Sequence, residues 1–196
     1  MSDTPLPLPT PSPEMRHRLA VRRSAPAQTL GLPGPDEGQI AEILQLGART
    51  PDHGKLFPWR FVVLGPQTRA AISAGLEPLA ARQSEPKKAR AVLAKLVNPP
   101  VTLLVISTPS PEHKVPVWEQ ELSAGAVCMN LSHGANALGF ATSWITDWYA
   151  YDPDALDMFG VVEGERIAGF IHIGTTPEPA LERPRPDMAQ KIRILP

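Results

Sequence analysis

Two short clusters in the first third of the chain carry side chains that could bind an anion. Arg22 and Arg23 stand next to Ser24, and Arg49 is followed four residues later by His53. Guanidinium groups and hydroxyls bind phosphate through charge-assisted hydrogen bonds. Adjacent arginines are equally common at solvated helix ends, and a loop histidine can be purely structural. Each cluster alone therefore indicates an anion site only weakly.

The patterns that mark several other kinds of active site are absent from the sequence. It has no G-x-G-x-x-G fingerprint, no P-loop and no G-x-S-x-G nucleophile elbow. The five histidines show neither the H-E-x-x-H pattern nor an i, i+4 pair, so no metal site is expected. The single cysteine, Cys128, cannot form an internal disulfide, and it is expected to be a buried apolar residue.

Composition places the chain among ordinary globular proteins. It has 196 residues, with 19 basic and 20 acidic side chains and a formal net charge of −1. Proteins that bind nucleic acid need a basic surplus on one face, so nucleic acid is not an expected partner. The longest apolar run, residues 101–106, is far shorter than the ~20 residues that span a bilayer, so no membrane contact is expected. A cytoplasmic location fits the single cysteine and the N-terminal residues, which lack a signal sequence.

The elements that must position these residues are helices and strands in mixed order. Proline-rich residues 1–13 predict a disordered lead-in to a single domain over 14–196, of which 177–196 form an extended tail. Capping patterns and apolar periodicity predict helices at residues 13–21, 37–47, 68–79, 86–97, 119–138 and 153–159. Apolar and β-branched runs predict strands at residues 59–64, 101–106, 140–146 and 167–173. This order predicts an α+β fold in which helices flank a sheet.

Several short segments, taken together and in this order, resemble the FMN-dependent nitroreductase family and its smaller bacterial branch. The segments are residues 22–24, 49–53, 57–61, 113–125, 139–144 and 169–174. The resemblance covers roughly residues 22–175, nearly the whole folded part of the chain. It implies a nitroreductase-like sandwich with a central, mostly antiparallel sheet, assembled as a homodimer with one FMN at each end of the dimer interface.

The resemblance also implies which residues surround FMN. Arg22, Arg23 and Ser24 of one subunit would hold the phosphate and the ribityl chain, and Arg49 and His53 would reach FMN from the other subunit. The flavin would be lined by Trp144, Ile145 and Thr146. The segment that corresponds to a nicotinamide-binding stretch consists of Gly134, Ala135, Asn136, Ala137, Leu138 and Gly139. Because the phosphate of FMN carries about two negative charges near neutral pH, a group of cations around it is physically reasonable.

The activity implied by the resemblance is hydride transfer from NADH or NADPH to a nitroaromatic, quinone or related electrophile in a ping-pong cycle. The flavin supplies the redox chemistry, so no catalytic acid or base is expected, and Asp52, Glu119 and Glu121 are not given such a role. No Rossmann unit is present from which to choose between NADH and NADPH.

Two departures from the family pattern leave the acceptor open. Phe57 stands where many relatives have glutamine, and Ile145 stands where close relatives can carry arginine. Both changes make the implied site less polar, so either the acceptor is apolar or aromatic, or Ile145 contributes through its backbone alone. The same fold hosts flavin-dependent enone reduction and dehalogenation. From other classes, a non-catalytic flavin- or ligand-binding protein and a domain without a cofactor remain alternatives. The basic and apolar tail, residues 177–196, is expected to wrap over the partner subunit.

Overall fold

The structure, a computed structural model, describes residues 5–195 and divides into two compact units. The larger unit contains residues 24–179, and the smaller unit combines the N-terminal residues up to Arg23 with the C-terminal residues from Ala180. Residues 1–4 of the expected lead-in and Pro196 of the expected tail lie outside the described residues. The division into a lead-in and one domain stays a prediction.

The smaller unit contains a helix that begins where its capping pattern predicts. Helix α1 (Pro13–Val21) is capped by Ser12, whose hydroxyl accepts a hydrogen bond from the backbone N–H of Met15 at 3.2 Å. No residue of α1 is buried, so its stability comes from local capping rather than packing within the described chain. Arg23 donates a hydrogen bond to the carbonyl of Leu181, which ties the two chain segments of this unit together.

The larger unit is built on a four-stranded antiparallel sheet in the order β1-β2-β4-β3. The strands are β1 (Trp59–Leu64), β2 (Val101–Ser107), β3 (Ala141–Ile145) and β4 (Arg166–Gly174). The two inner strands, β2 and β4, are almost wholly buried, as the apolar run of β2 predicts. All four predicted strands form within about a residue of their predicted bounds.

Helices cover both faces of this sheet. They are α2 (Glu37–Gly47), α3 (Pro66–Ala80), α4 (Pro86–Ala91), α5 (Ala94–Val97), α6 (Val117–Ala137) and α7 (Pro153–Leu156). Asp36 and Gln39 form the predicted capping box of α2. The predicted helix over 86–97 is wrong as a single element, because i−3 hydrogen bonds at Leu93 and Leu96 tighten the chain and turn both side chains into the core.

Two apolar clusters hold the layers together. One lies between the sheet and α3, α5 and α7, and includes Tyr149 packed edge-on against Phe170 at 5.2 Å between ring centroids. The other lies between the sheet and the pair α2 and α6. A Cβ at Gly47 would lie 2.4 Å from the side chain of Leu131, so a glycine is what lets α2 and α6 approach so closely. The predicted α+β sandwich is confirmed.

Among residues 5–195, no helix is long and apolar enough to cross a membrane. The same residues contain no group of three or more histidine, cysteine or acidic side chains arranged to hold a metal ion.

Candidate functional site

The loop between α2 and β1 is fastened to α6 along its length. Asn130 of α6 donates a hydrogen bond to the Thr50 hydroxyl at 2.8 Å. Ser123, two turns earlier on α6, donates to the carbonyl of Pro51 at 2.9 Å and accepts from the Trp59 indole at 3.3 Å. These bonds fix a loop that would otherwise be a solvated connection, and the loop carries two of the predicted site residues.

The turn within this loop uses backbone conformations that side chains rarely adopt. Gly54, Lys55 and Phe57 have φ values of 86°, 57° and 49°. For a lysine and an aromatic residue such conformations cost on the order of 1–3 kcal/mol and are concentrated at functional sites. The Asp52 carboxylate stabilises the turn by accepting a hydrogen bond from the backbone N–H of Phe57 at 2.7 Å. The Phe57 ring is held at the surface, 60% exposed.

Arg49 and His53 lie on the exposed part of this loop. The Nδ1 atom of His53 is 2.7 Å from Oε2 of Glu119, in the first turn of α6. A carboxylate can only accept a hydrogen bond, so Nδ1 is the nitrogen that carries the proton. The guanidinium of Arg49 is exposed and has no hydrogen-bond partner among residues 5–195. Two nitrogen-bearing groups are thus held by one loop, and Arg49 is available to an external anion.

A second group of predicted residues lies at the opposite edge of the sheet. The Trp144 indole donates to a carbonyl of β4 at 3.2 Å and is 40% exposed. A Cβ at Gly169 would lie 2.1 Å from its Nε1, so the indole can lie across β4 only because residue 169 is a glycine. Ile145 is half-buried at the end of β3, and the Thr146 hydroxyl accepts from Tyr151 at 2.9 Å. These three neighbouring residues offer an indole, an apolar side chain and a hydroxyl at this edge.

Within one chain, the two groups belong to opposite edges of the sheet. Strand β1, which follows the Arg49–His53 loop, is one edge of the sheet, and β3 is the other. Three interstrand spacings, roughly 14 Å in total, separate these edges. A ligand that contacted both groups would have to span the sheet or take the two groups from different copies of the chain.

The predicted nicotinamide segment lies at the carboxyl end of α6. Its first two residues are buried against α2, where a Cβ at position 134 would lie 3.3 Å from a side chain of that helix. Asn136 donates a hydrogen bond to the carbonyl of Phe140 at 2.8 Å, and Gly139 ends the turn with a φ of 90°. Ala137 and Gly139 are exposed and Leu138 is half-buried, so half of the segment is accessible.

The three residues of the predicted phosphate cluster are divided between the two units. Arg22 and Arg23 belong to the smaller unit, and Ser24 is the first residue of the larger one. Arg23 hydrogen-bonds to the Leu181 carbonyl, and Arg22 and Ser24 also make contacts within the described chain. The role of these three residues stays a prediction.

The strongly shifted titratable groups lie inside the fold, away from the exposed loop. Burial lowers the pKa of His172 to about 3 and raises the pKa of Cys128 to about 12. Both side chains are therefore uncharged near neutral pH, and both are fully buried. These two groups serve packing rather than chemistry with a ligand.

Sequence reasoning did not identify Glu119 as a partner for His53. The two residues are 66 positions apart, and a single sequence contains no signal that pairs them. The position of Glu119 in the first turn of a helix is a local signal, but it indicates only a favourable interaction with the helix dipole.

Comparison with known proteins defines the class of this fold and site. The model of the family described as "Nitroreductase family" matches residues 30–175. YdjA of Escherichia coli (strain K12), which carries the name of an NAD(P)H nitroreductase, is 36% identical over 158 residues, 80% of this chain and 85% of YdjA. The chain therefore belongs to the nitroreductase family, and the predicted enzyme class, an oxidoreductase of the nitroreductase type, is confirmed.

Solved structures support the fold. A nitroreductase-like family protein from Bacillus cereus has a TM-score of 0.82 at 20% identity, covering 96% of this chain and 99% of that chain. A nitroreductase with bound FMN from Bacteroides fragilis has a TM-score of 0.73 at 20% identity, and the match covers 94% of this chain and 100% of that chain. The nitroreductase-like architecture predicted from the resemblance is thereby confirmed.

Proposed function

We propose that this protein is an FMN-dependent oxidoreductase that transfers a hydride from NADH or NADPH to a nitroaromatic, quinone or related electrophile in a ping-pong cycle. The observation that carries the proposal is that one loop, fixed to α6, carries both His53 and the exposed guanidinium of Arg49, which has no hydrogen-bond partner among residues 5–195. In a chain of this family, such a loop supplies a positive charge and hydrogen-bonding nitrogens to an anionic cofactor. The name of YdjA includes NAD(P)H, and the Bacteroides fragilis protein contains FMN, which agrees with the proposal.

The donor set fits FMN chemically. Bound FMN would supply the redox chemistry, taking a hydride from the nicotinamide and passing it to the acceptor. Arg22, Arg23 and Ser24 would hold the phosphate and the ribityl chain, while Arg49 would bind the cofactor through its charge and His53 through a hydrogen bond, both from the other subunit. These residues bind and orient; no side chain is assigned a proton transfer.

The residues from 144 to 146 would line the flavin, and residues 134–139 would contact the nicotinamide. The Trp144 indole offers an aromatic surface 40% exposed, and Thr146 offers a hydroxyl already oriented by Tyr151. Both lie at a sheet edge where Ile145 adds an apolar side chain. An apolar or aromatic acceptor suits this surface and the exposed Phe57 ring.

We also propose that the protein is a homodimer, which the position of these residues supports. Arg49 lies on the loop before one edge strand and Trp144 lies on the other edge strand, roughly 14 Å away across the sheet, so a second copy is a direct source of one of the two groups. Helix α6 offers a face for that copy, since Trp118 and Leu122, four residues apart, are 67% and 53% exposed. The C-terminal tail, exposed throughout its described length, would lie over the partner.

The dimer proposal is tested with Leu122→Glu. A carboxylate on the apolar face of α6 should convert the dimer to a monomer in size-exclusion chromatography with light scattering, and FMN should be lost with it. Val162→Glu, a change at another exposed apolar residue, is the matched control. A wild-type protein that is monomeric yet binds FMN would contradict the two-subunit site.

The activity is tested by absorption spectroscopy of the protein reconstituted with FMN. Under anaerobic conditions, NADPH or NADH should bleach the flavin bands, and an added nitroaromatic or quinone should restore them. Arg49→Ala should weaken FMN binding about tenfold or more, the loss expected for a charge-assisted contact, while Arg82→Ala, at an exposed ion pair, should not. Bands that persist with both donors would favour a flavin-binding protein without this activity.

A further inference from the structure

His53 and Glu119 form a hydrogen bond between two separately anchored elements. Their nearest atoms are 2.7 Å apart, the distance typical of a charge-assisted bond. Both side chains are largely solvent-exposed, 65% and 45%, and an exposed pair contributes little to stability. Stability is therefore a poor explanation for holding these two side chains in contact.

Both backbones that carry the pair are fixed. On one side, the Ser123 hydroxyl holds the carbonyl of Pro51, two residues before His53. On the other side, Gln120, next to Glu119 in α6, is buried and hydrogen-bonds the backbone of Ser110 and of Val115. Forming the pair therefore costs side-chain entropy but little backbone entropy, because the fold already brings the two residues within reach of each other.

The bond also determines what the imidazole presents outward. Because the carboxylate can only accept, it fixes the proton on Nδ1 and leaves Nε2 for a further contact. Nε2 of His53 makes no hydrogen bond within the described part of the chain. A carboxylate behind a histidine is the arrangement that orients imidazoles toward metals and substrates in other proteins.

We propose that Glu119 is a positioning residue that holds the His53 imidazole in one tautomer and one orientation for contact with FMN through Nε2. This role rests on the proposed FMN-dependent function. Glu119 acts through His53 and does not itself bind the cofactor.

The first experiment measures FMN affinity in a set of variants. Glu119→Ala should raise the Kd for FMN about tenfold, the lower end of the effect of removing such an orienting partner. Glu119→Gln, which keeps the shape and an accepting oxygen, should restore part of the affinity. Glu121→Ala is the matched control, because Glu121 lies two residues further along α6 and pairs with Arg166 at 3.6 Å instead. It should leave the Kd unchanged.

A double-mutant cycle separates positioning from direct binding. If Glu119 acts only through His53, adding Glu119→Ala to a His53→Ala protein should cause no further loss of FMN affinity. Additive losses would show that Glu119 acts independently and would overturn the proposal. So would an unchanged Kd in Glu119→Ala.

The second experiment does not depend on FMN. In flavin-free protein, the ring nitrogens of His53, observed by ¹⁵N NMR, should report a proton held on Nδ1 in wild type. Glu119→Ala should shift these signals toward a mixture of tautomers, while Glu121→Ala should not, and the midpoints of urea unfolding should be the same in all three proteins. Identical His53 signals in wild type and Glu119→Ala would overturn the positioning role. A wild-type protein that binds no FMN would instead overturn the proposed function, and with it the role toward FMN.

Discussion

Gly169 shows how a single residue controls the candidate surface at β3. Because Gly169 has no side chain, the Trp144 indole can lie against the backbone there; a Cβ would be 2.1 Å from its Nε1. We expect Gly169→Ala to displace the indole and to weaken FMN binding several-fold. Near-ultraviolet circular dichroism and FMN titration measure the two effects. Gly65→Ala, where a Cβ meets open space, is the control that should change neither.

His172 is the residue whose burial gives the fold a dependence on pH. Its Nδ1 hydrogen-bonds Thr102 at 2.8 Å, its Nε2 is buried without a partner, and its pKa is about 3 against an ordinary value of 6.5. Below pH 6.5 the unfolded chain binds a proton that the folded chain does not. The free energy of unfolding should therefore fall by about 1.4 kcal/mol per pH unit until the pH nears 3.

The measurement is urea unfolding at pH 7 and pH 4.5 in wild type and in Thr102→Val/His172→Leu. Wild type should lose about 2.5 kcal/mol more than the double variant between these pH values. Replacing both partners avoids leaving one polar group unpaired. Equal losses in the two proteins would show that His172 is already protonated in the folded state at pH 4.5.

At the residue scale, the sequence alone identified candidate site residues but not the residues with which they form hydrogen bonds. Arg49 and His53 could be named because their loop resembles that of the family, and the structure places them together on one anchored loop. Glu119 and Ser123 could not be paired with that loop, since each contact joins residues more than 60 positions apart. Such contacts depend on how α6 packs, which no local pattern encodes.

At the scale of elements, prediction succeeded where the determinants are local. The Ser12 cap of α1 and the Asp36–Gln39 box of α2 were both correct, because each bond joins residues three apart. The break between α4 and α5 was not predicted, since it follows from the burial of Leu93 and Leu96 against the rest of the core. Where packing determines the ends of a helix, those ends cannot be predicted without the tertiary structure.

Arg69 of α3 is a buried cation that hydrogen-bonds backbone carbonyls at and beyond the end of α5. Its guanidinium donates to the carbonyls of Leu96 at 2.9 Å, of Pro99, and of Pro100 at 2.8 Å, and it is 1% exposed. Burial lowers its pKa, yet these carbonyls would be unpaired without it. We expect Arg69→Met to lower the free energy of unfolding by about 3 kcal/mol.

Urea unfolding checks this value, with Arg82→Met as the control. Arg82 pairs with Asp154 at the surface, where both side chains are more than half exposed, so its loss should change stability by less than about 0.5 kcal/mol. Similar losses in the two variants would show that the carbonyls at the end of α5 find water or other partners when the guanidinium is removed.

At the scale of the whole molecule, the strand order decides how the candidate site can be assembled. Periodicity predicts that four strands exist, but it does not predict that β4 pairs between β2 and β3. That order puts the loop of Arg49 and the surface of Trp144 at opposite edges. The resemblance to the family implies a site built from two subunits, with Arg22, Arg23 and Ser24 from one and Arg49 and His53 from the other, but it does not say which subunit supplies Trp144.

This arrangement predicts complementation between two defective variants. Arg49→Ala and Trp144→Ala should each impair FMN binding at both sites of a homodimer. In a mixed dimer, however, one site would receive both intact groups and the other neither. Random pairing of equal amounts should make half of the dimers mixed, so about one quarter of all sites should regain wild-type FMN affinity after joint refolding. If instead both groups served a site within their own chain, every site in the mixture would keep one defect and none would recover, so the titration distinguishes the two assemblies directly.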